Sequence, residues 1–280
     1  MKFENTEVWG FQHAVRGMRN SCESWEKLDS VFGVKIRGTG EPVGHKSIIR
    51  DFGNGFIEYA ILGENDLRLM QSLIKGGSER RKFMCQIFVS VDITAPLYWW
   101  KEFDTYKVGT VANSTSTMHK LASTPITKDC FEMDDYSDLP CDLESDDCVI
   151  PYLCEMWSNT IRYLENLRQK YNKSMENRKH LEEIKEFEEA KKAQVMAKKR
   201  WKELIRLLPE SWLQKRTITM SYENVLNMVR QCKNHKLTEW SEKFIEWART
   251  LPYADELLFS KRNVSSLAAW IRSRRNIYTK

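Results

Sequence analysis

The chain has 280 residues, 41% of them hydrophobic, with a formal net charge of +5 and a pI of about 8.7. That length supports a sizeable core in one large domain or two small ones, and the absence of any run of 18 apolar residues argues against a membrane-spanning helix. The charge is basic but too mild to argue for nucleic acid, and phosphorylated small molecules suit it equally well.

The first twelve residues, MKFENTEVWGFQ, contain no apolar core of signal-peptide length, so a soluble, cytoplasmic protein is expected, with no membrane and no nucleic-acid partner. Seven cysteines, an odd number without a C-x-x-C pair, fit a reducing compartment. Cys130, Cys141, Cys148 and Cys154 bracket an acidic segment, but they are too far apart for a zinc site and no histidine lies near them; no metal is expected.

In chain order, Val8, Trp9, Phe11, Ala14, Val15 and Met18 predict a helix ending near Asn20, with Arg16 and Arg19 turned either to a phosphate or to solvent. Glycine-rich segments around 38–44 and 53–55 punctuate expected strands at 46–50 and 56–62. Asn65 is the expected cap of a helix carrying Leu67, Met70, Leu73 and Ile74 on one face, stopped by Gly76 and Gly77. Arg80, Arg81 and Lys82 follow it, available to an anion or to water.

A strand is then predicted from Gln86, because Ile87, Val89, Val91 and Ile93 alternate with polar residues until Ala95 and Pro96. An aromatic, basic helical run covers 97–107, and a Ser/Thr/Asn-rich loop is expected over 110–119. The acidic stretch 122–150 reads as a surface loop or lid. Two long helices are expected between Cys154 and Leu208, rich in Glu and Lys, with the heptad slipping after Phe187 and Pro209 ending the second. Further helices are predicted at 222–229 and 237–251, the latter with a core stripe of Leu237, Trp240, Phe244, Trp247 and Leu251. The last 21 residues read as a basic amphipathic helix.

There is no G-x-G-x-x-G, P-loop, H-E-x-x-H or nucleophile elbow. What stands out is Lys101 and Lys107 among Tyr98, Trp99, Trp100, Phe103 and Tyr106, followed by Asn113, Ser114, Thr115, Ser116 and Thr117. Cations with small hydroxyls and amides satisfy phosphate oxygens, and aromatic faces accept a planar heterocycle. The same residues also suit a core and a helix cap.

This segment resembles the signature region of the flavin-dependent thymidylate synthases. In that family a strand, an Ala-Pro-like pair and a helix bearing Arg-Gln precede Arg-His-Arg, a serine, Asn-Glu, a second serine and Arg-Tyr. Here Ala95 and Pro96 match the pair, Lys101 and Glu102 fall at Arg-Gln, and Thr105, Tyr106 and Lys107 fall at Arg-His-Arg. Thr110 falls at the first serine, Asn113 and Ser114 at Asn-Glu after one inserted residue, Ser116 at the second serine, and Met118 and His119 at Arg-Tyr. Arg206, Leu207, Leu208 and Pro209, followed by 219–229, resemble a second element of the family; register places Cys232 where an arginine is expected, with Arg230 two residues earlier.

The resemblance implies an α+β fold, with a central antiparallel or mixed sheet flanked by long helices, in a single domain over 1–280 with an acidic insertion at about 122–150 and a charged helical insertion at about 170–200. It implies an enzyme that binds FAD and a pyrimidine nucleotide, dUMP or similar, and methylates C5 of the uracil ring reductively, with NADPH and methylenetetrahydrofolate as co-substrates and a homotetrameric assembly. The implied catalytic residues are Ser116 and Arg230. The nucleotide would lie on Lys101, Glu102, Lys107, Ser114, Ser116 and Arg206, and FAD on Thr105, Tyr106, Lys107 and Asn113. Lysine in place of arginine keeps the charge but loses the planar fork. A homologue that keeps the fold and a ligand without the catalysis is the alternative.

Overall fold

A computed structural model describes residues 1–106, 108–133 and 150–260. The chain opens with strand β1 (Lys2–Trp9) and helix α1 (Phe11–Met18), then β2 (Val31–Ile36), β3 (Ile48–Asp51), β4 (Phe56–Ile61) and helix α2 (Glu64–Lys75). A tight turn, Lys82–Gln86, leads into β5 (Phe88–Pro96), α3 (Leu97–Phe103), β6 (Val111–Ser114) and α4 (Thr117–Ser123). Two long helices, α5 (Ile150–Glu183) and α6 (Phe187–Leu207), are followed by β7 (Leu213–Ser221) and α7 (Tyr222–Cys232). A π-turn over Glu239–Phe244 runs into α8 (Ile245–Arg249), and α9 (Ala254–Leu257) ends the described chain. The fold is α+β, and no helix among the described residues is long and apolar enough to cross a membrane.

The strands form a four-stranded sheet in the order β1-β5-β7-β6 and a three-stranded antiparallel sheet in the order β2-β4-β3. β5 and β7 run antiparallel, since Tyr222 N donates to Ile87 O at one end and Leu97 N to Trp212 O at the other. The predicted alternation holds: Ile87, Val89, Val91 and Ile93 are buried at 1% exposure or less. On the opposite face Asp92 accepts from Asn5 Nδ2 at 3.0 Å and from Thr217 Oγ1 at 2.6 Å, a polar ladder across three strands.

The chain divides into two compact units. One comprises Lys2–Ile93, Glu102–Asn113 and the described residues from Arg216 onward. Its N-terminal segment corrects the predicted helix: residues 6–9 belong to β1, and the chain switches to helix at Gly10. Gly10 has φ 94°, and a Cβ there would lie 2.1 Å from Gln86 O, so only glycine allows this corner. Arg19 meets neither phosphate nor solvent; it is buried at 4% exposure and donates to Asp66, which is fully buried. β2 is invisible to a reading of the sequence because Val31, Val34 and Ile36 are all exposed, so no buried face imposes alternation.

Helix α2 starts one residue before the expected cap, and Asn65 lies in its first turn. Its amino-terminal N–H groups are satisfied instead by the Asp29 carboxylate, which accepts from Asn65 N at 2.8 Å and Asp66 N at 3.0 Å. Gly76 does cap the other end. The apolar faces of α1, α2 and α7 bury Phe11, Met70, Ile74, Tyr222 and Leu226; of the predicted stripe, Trp240, Phe244, Trp247 and Leu251 are core, whereas Leu237 is only half-buried.

The other unit comprises Met1, Thr94–Lys101 and the described part of Ser114–Lys215. Leu121, Ile126, Phe131, Leu164, Leu204 and Trp212 form its core. Trp99 and Trp100 are buried at 0% and 1% exposure, and Trp100 Nε1 donates to Ala95 O and Gln214 O, which ties the end of β5 to the start of β7. The two tryptophans are therefore core rather than a platform for a ring. Helices α5 and α6 pack as a hairpin whose α6 seam is Ala190, Ala193 and Ala197, small enough for close approach. Arg200 donates across the seam to Lys170 O at 2.8 Å.

Glu165 on α5 holds the segment after α4. It accepts from Arg168 at 2.6 and 2.7 Å, from Gln169 at 2.9 Å and from Ile126 N at 2.8 Å. The Arg168 guanidinium, followed by the Ile126 N–H and Gln169, outweighs partial burial and lowers the Glu165 carboxyl from 4.5 to about 2. A depressed carboxylate stabilises the fold above its unfolded value and stops doing so as pH falls through its folded value. Glu165→Gln is therefore expected to be less stable than the parent at neutral pH. The gap in denaturant midpoint should close between pH 4.5 and about 2; a gap that does not change with pH would contradict the assignment.

Candidate functional site

A cavity of about 380 Å³ opens beside the amino-terminal half of α7, within the first unit. Its walls are Cys85 and Phe88 from the entry to β5, Thr105, Tyr106, Val108 and Gly109 from the segment after α3, and Ser221, Glu223, Asn224, Asn227 and Gln231 of β7 and α7.

The wall is built from the cap of α7. Ser221 Oγ accepts from Asn224 N at 3.3 Å and Asn224 Oδ1 accepts in return from Ser221 N at 3.2 Å, a reciprocal capping box. The Asn224 amide then donates to Val108 O, which fastens the 105–110 segment against the helix start. Gly109 has φ 78°, and a Cβ there would stand 3.0 Å from Asn224 Oδ1, so the close approach and the left-handed backbone both select glycine.

Arg81 forms the charged part of the wall. It makes a bidentate pair with Glu223, 2.7 Å for each bond, and a third bond to Asn227 Oδ1 at 3.2 Å. The three-cation lead-in thus supplies neither an anion site nor a solvated face at Arg81, which is 6% exposed. Arg230, on the exposed side of α7, feels this pair: partial burial and then the Arg81 charge lower its pKa, and Glu223 opposes them. The Cys85 thiol is pushed up, first by burial and then by Glu223.

Tyr106 forms the aromatic wall. Its hydroxyl donates to Gln231 Oε1 at 3.3 Å and lies 3.8 Å from Cys232 Sγ. Burial, then Cys232, raises its pKa well above the usual value, so the phenol is neutral and a donor at physiological pH. Cys232, 1% exposed, packs beneath it, with its thiol pushed up to about 12 chiefly by burial. The position where the resemblance expects an arginine therefore faces the core and has no room for a charge.

Of the residues implied by the resemblance, Thr105 and Tyr106 line this cavity, and Thr105 Oγ1 donates to Glu102 O at 2.7 Å. Asn113 is exposed on β6 in the same unit. Lys107 lies outside the described residues. Lys101, Ser114, Ser116 and Arg206 belong to the second unit. There Lys101 pairs with Glu210 at 2.7 Å and Arg206 with Glu203 at 3.5 Å. Ser114 ends β6, so the expected polar loop 110–119 is in part a strand and in part α4. Ser116 occupies the N-cap position of α4; its carbonyl accepts from His119 N and Lys120 N, and its hydroxyl makes no capping bond.

Sequence reasoning misses Ser221, Glu223, Asn224 and Asn227 as site residues, and offers Arg81 only as a contact for an anion or for water. The one local signal is Ser221 followed three residues later by Asn224, a spacing that marks a helix start.

Chemically, the cavity combines two ring faces, Phe88 and Tyr106, with carboxamides that can both donate and accept. Gln231 Oε1 accepts from Tyr106, which leaves the donors of the same amide to face a ligand. The volume sits near the lower end of the range of roughly 300–1,000 Å³ found for ligand pockets. One ring system with its polar edge fits this volume; a complete dinucleotide does not.

No family model matches the sequence, and no curated protein matches it. Among solved structures the chain is similar to the flavin-dependent thymidylate synthase ThyX from Helicobacter pylori complexed with FAD and dUMP, at 14% identity over 93% of this chain and 98% of that one, with a TM-score of 0.49. A second structure of thymidylate synthase X from Helicobacter pylori with FAD and dUMP is similar at 14% identity, over 95% and 100% of the two chains, with a TM-score of 0.49. Similarity at this level assigns nothing to individual residues of the site.

Proposed function

We propose that the chain binds FAD and a pyrimidine nucleotide, dUMP or a close relative, and methylates C5 of the uracil ring reductively as a homotetramer, with NADPH and methylenetetrahydrofolate as co-substrates. The observation that carries this reading is the meeting of Thr105 and Tyr106, at signature positions, with the amide-rich start of α7 in one cavity. FAD, when bound, supplies the hydride.

The chain's own residues have three tasks in this reading. Phe88 and Tyr106 offer faces to a planar ring, and Gln231 and Asn227 present amides to its edge. Arg230, exposed on α7 and outside the cavity lining, is the cation this reading assigns to offset negative charge as it develops on the ring oxygens. Lys101, Glu102, Lys107, Ser114 and Arg206 are the remaining nucleotide candidates, with Ser116 as the orienting hydroxyl and Asn113 as a flavin contact.

A second reading, nucleotide binding without catalysis, draws on the burial of Cys232 at the expected arginine position and on the carboxylate partners of Lys101 and Arg206.

Purified protein is expected to show a flavin band in the blue, or to gain one on FAD addition, and to bind dUMP by calorimetry. Lack of any flavin binding with dUMP binding intact sinks the enzyme reading and leaves the second. Unchanged dUMP affinity in both Ser116→Ala and Lys107→Ala removes those residues from the site.

A further inference from the structure

The hairpin of α5 and α6 carries a second concavity, about 530 Å³, inside the second unit and unrelated to the proposed flavin chemistry. Tyr171 and Trp201 meet across it with ring centroids 4.9 Å apart, both half-buried. Its rim is cationic: Arg178 from α5, and Lys198, Lys199 and Lys202 from α6. None of its lining residues is acidic.

The spacing explains the arrangement. Lys198 and Lys202 are one turn apart and Lys199 is adjacent, so their ammonium groups rise along one edge of α6, while Ala197 and Trp201 face the seam. Arg178 is drawn toward Glu182 at 3.4 Å, but the three lysines have no carboxylate partner among the described residues. Arg200 is turned away from the groove, donating to Lys170 O and Ser174 Oγ, where it braces the two helices. A solvated charged face would intersperse both signs, as Lys192 does with Glu189 further along α6. Here three lysines line one concavity with an aromatic floor, and the nearest carboxylate on α6, Glu203, lies outside that lining and is drawn to Arg206 at 3.5 Å.

We propose that this groove binds single-stranded nucleic acid, with Lys198, Lys199 and Lys202 on successive phosphates and a base against the Tyr171 and Trp201 rings. Convergent cations that track a backbone beside aromatic faces are the elements of sequence-tolerant strand binding. The chain's overall charge does not point to nucleic acid; the local distribution of charge does.

The test is fluorescence anisotropy of a labelled oligouridylate, about 20 nucleotides long to exceed the largest usual site of about 16, titrated with the full chain. Binding is expected with a slope of log K against log salt near −2, from about −0.7 for each of three neutralised phosphates. Lys198→Glu with Lys202→Glu should weaken it at least tenfold, and Lys198→Arg with Lys202→Arg should preserve it; both pairs are exposed and should leave the circular dichroism unchanged. No binding at protein concentrations up to about 100 μM in moderate salt, the weak limit of non-specific association, overturns the proposal. So does equal binding by the charge-reversed and parent proteins. Displacement by polyglutamate as effectively as by unlabelled oligouridylate also overturns it, because the groove would then be recognising an acidic protein surface.

Discussion

Replacing Asp66 by alanine is expected to remove about 3–5 kcal/mol of folding stability, the usual consequence of leaving a buried charge without its partner. Asp66 is 0% exposed and Arg19 4%. One carboxylate oxygen accepts from Arg19 Nε at 2.7 Å, and the other accepts from Asp29 N, Ser30 N and Ser30 Oγ at 3.1, 3.0 and 2.6 Å. Alanine therefore strands the guanidinium and orphans two backbone donors where water does not reach. The denaturant midpoint should fall with its slope unchanged. Joint replacement of Arg19 by methionine and Asp66 by leucine should recover much of the loss, because a buried ion pair costs desolvation that an apolar pair of similar size avoids. A single-variant loss under about 1 kcal/mol would mean that the pair is solvated in solution.

Arg81→Ala carries the second large effect, and it strikes the cavity itself. Glu223 would keep a partly buried carboxylate at the start of α7 with Arg230 as the neighbouring cation, and Asn227 would lose the donor that orients it. A loss of about 3 kcal/mol is expected, together with loss of ligand binding, since the wall would carry an unneutralised negative charge toward a phosphorylated ligand. Arg81→Leu combined with Glu223→Leu separates the two roles. Stability should return in either case; binding returns with it if the unneutralised Glu223 charge was what repelled the ligand, and stays lost if Arg81 is needed to hold Asn227 in place for the ligand.

The central strand, the two long helices and the core stripe of Trp240, Phe244 and Trp247 were legible because each has one buried face, and burial imposes a period that can be read locally. β2 was not legible because Val31, Val34 and Ile36 are exposed. β7, Leu213–Ser221, was hidden among polar residues, because it is defined by its neighbours in the sheet more than by its own composition. Local sequence placed a helix cap at Asn65, whereas Asp29 performs it from 36 positions away, a contact that no local window contains.

The site divides in the same way. By itself the sequence determined the chemistry on offer in the 97–119 stretch: aromatic rings, lysines, and a run of small hydroxyl and amide side chains in a recognisable order. Only the tertiary structure decided their use. It sent Trp99 and Trp100 into the core, buried Cys232 under Tyr106, and brought Arg81, Glu223 and Asn224, more than 100 residues from one another or from the stretch they support, to the wall beside Thr105 and Tyr106. Hydrogen-bond partners and burial are properties of proximity in space, and residue order limits which side chains are available without choosing which of them meet.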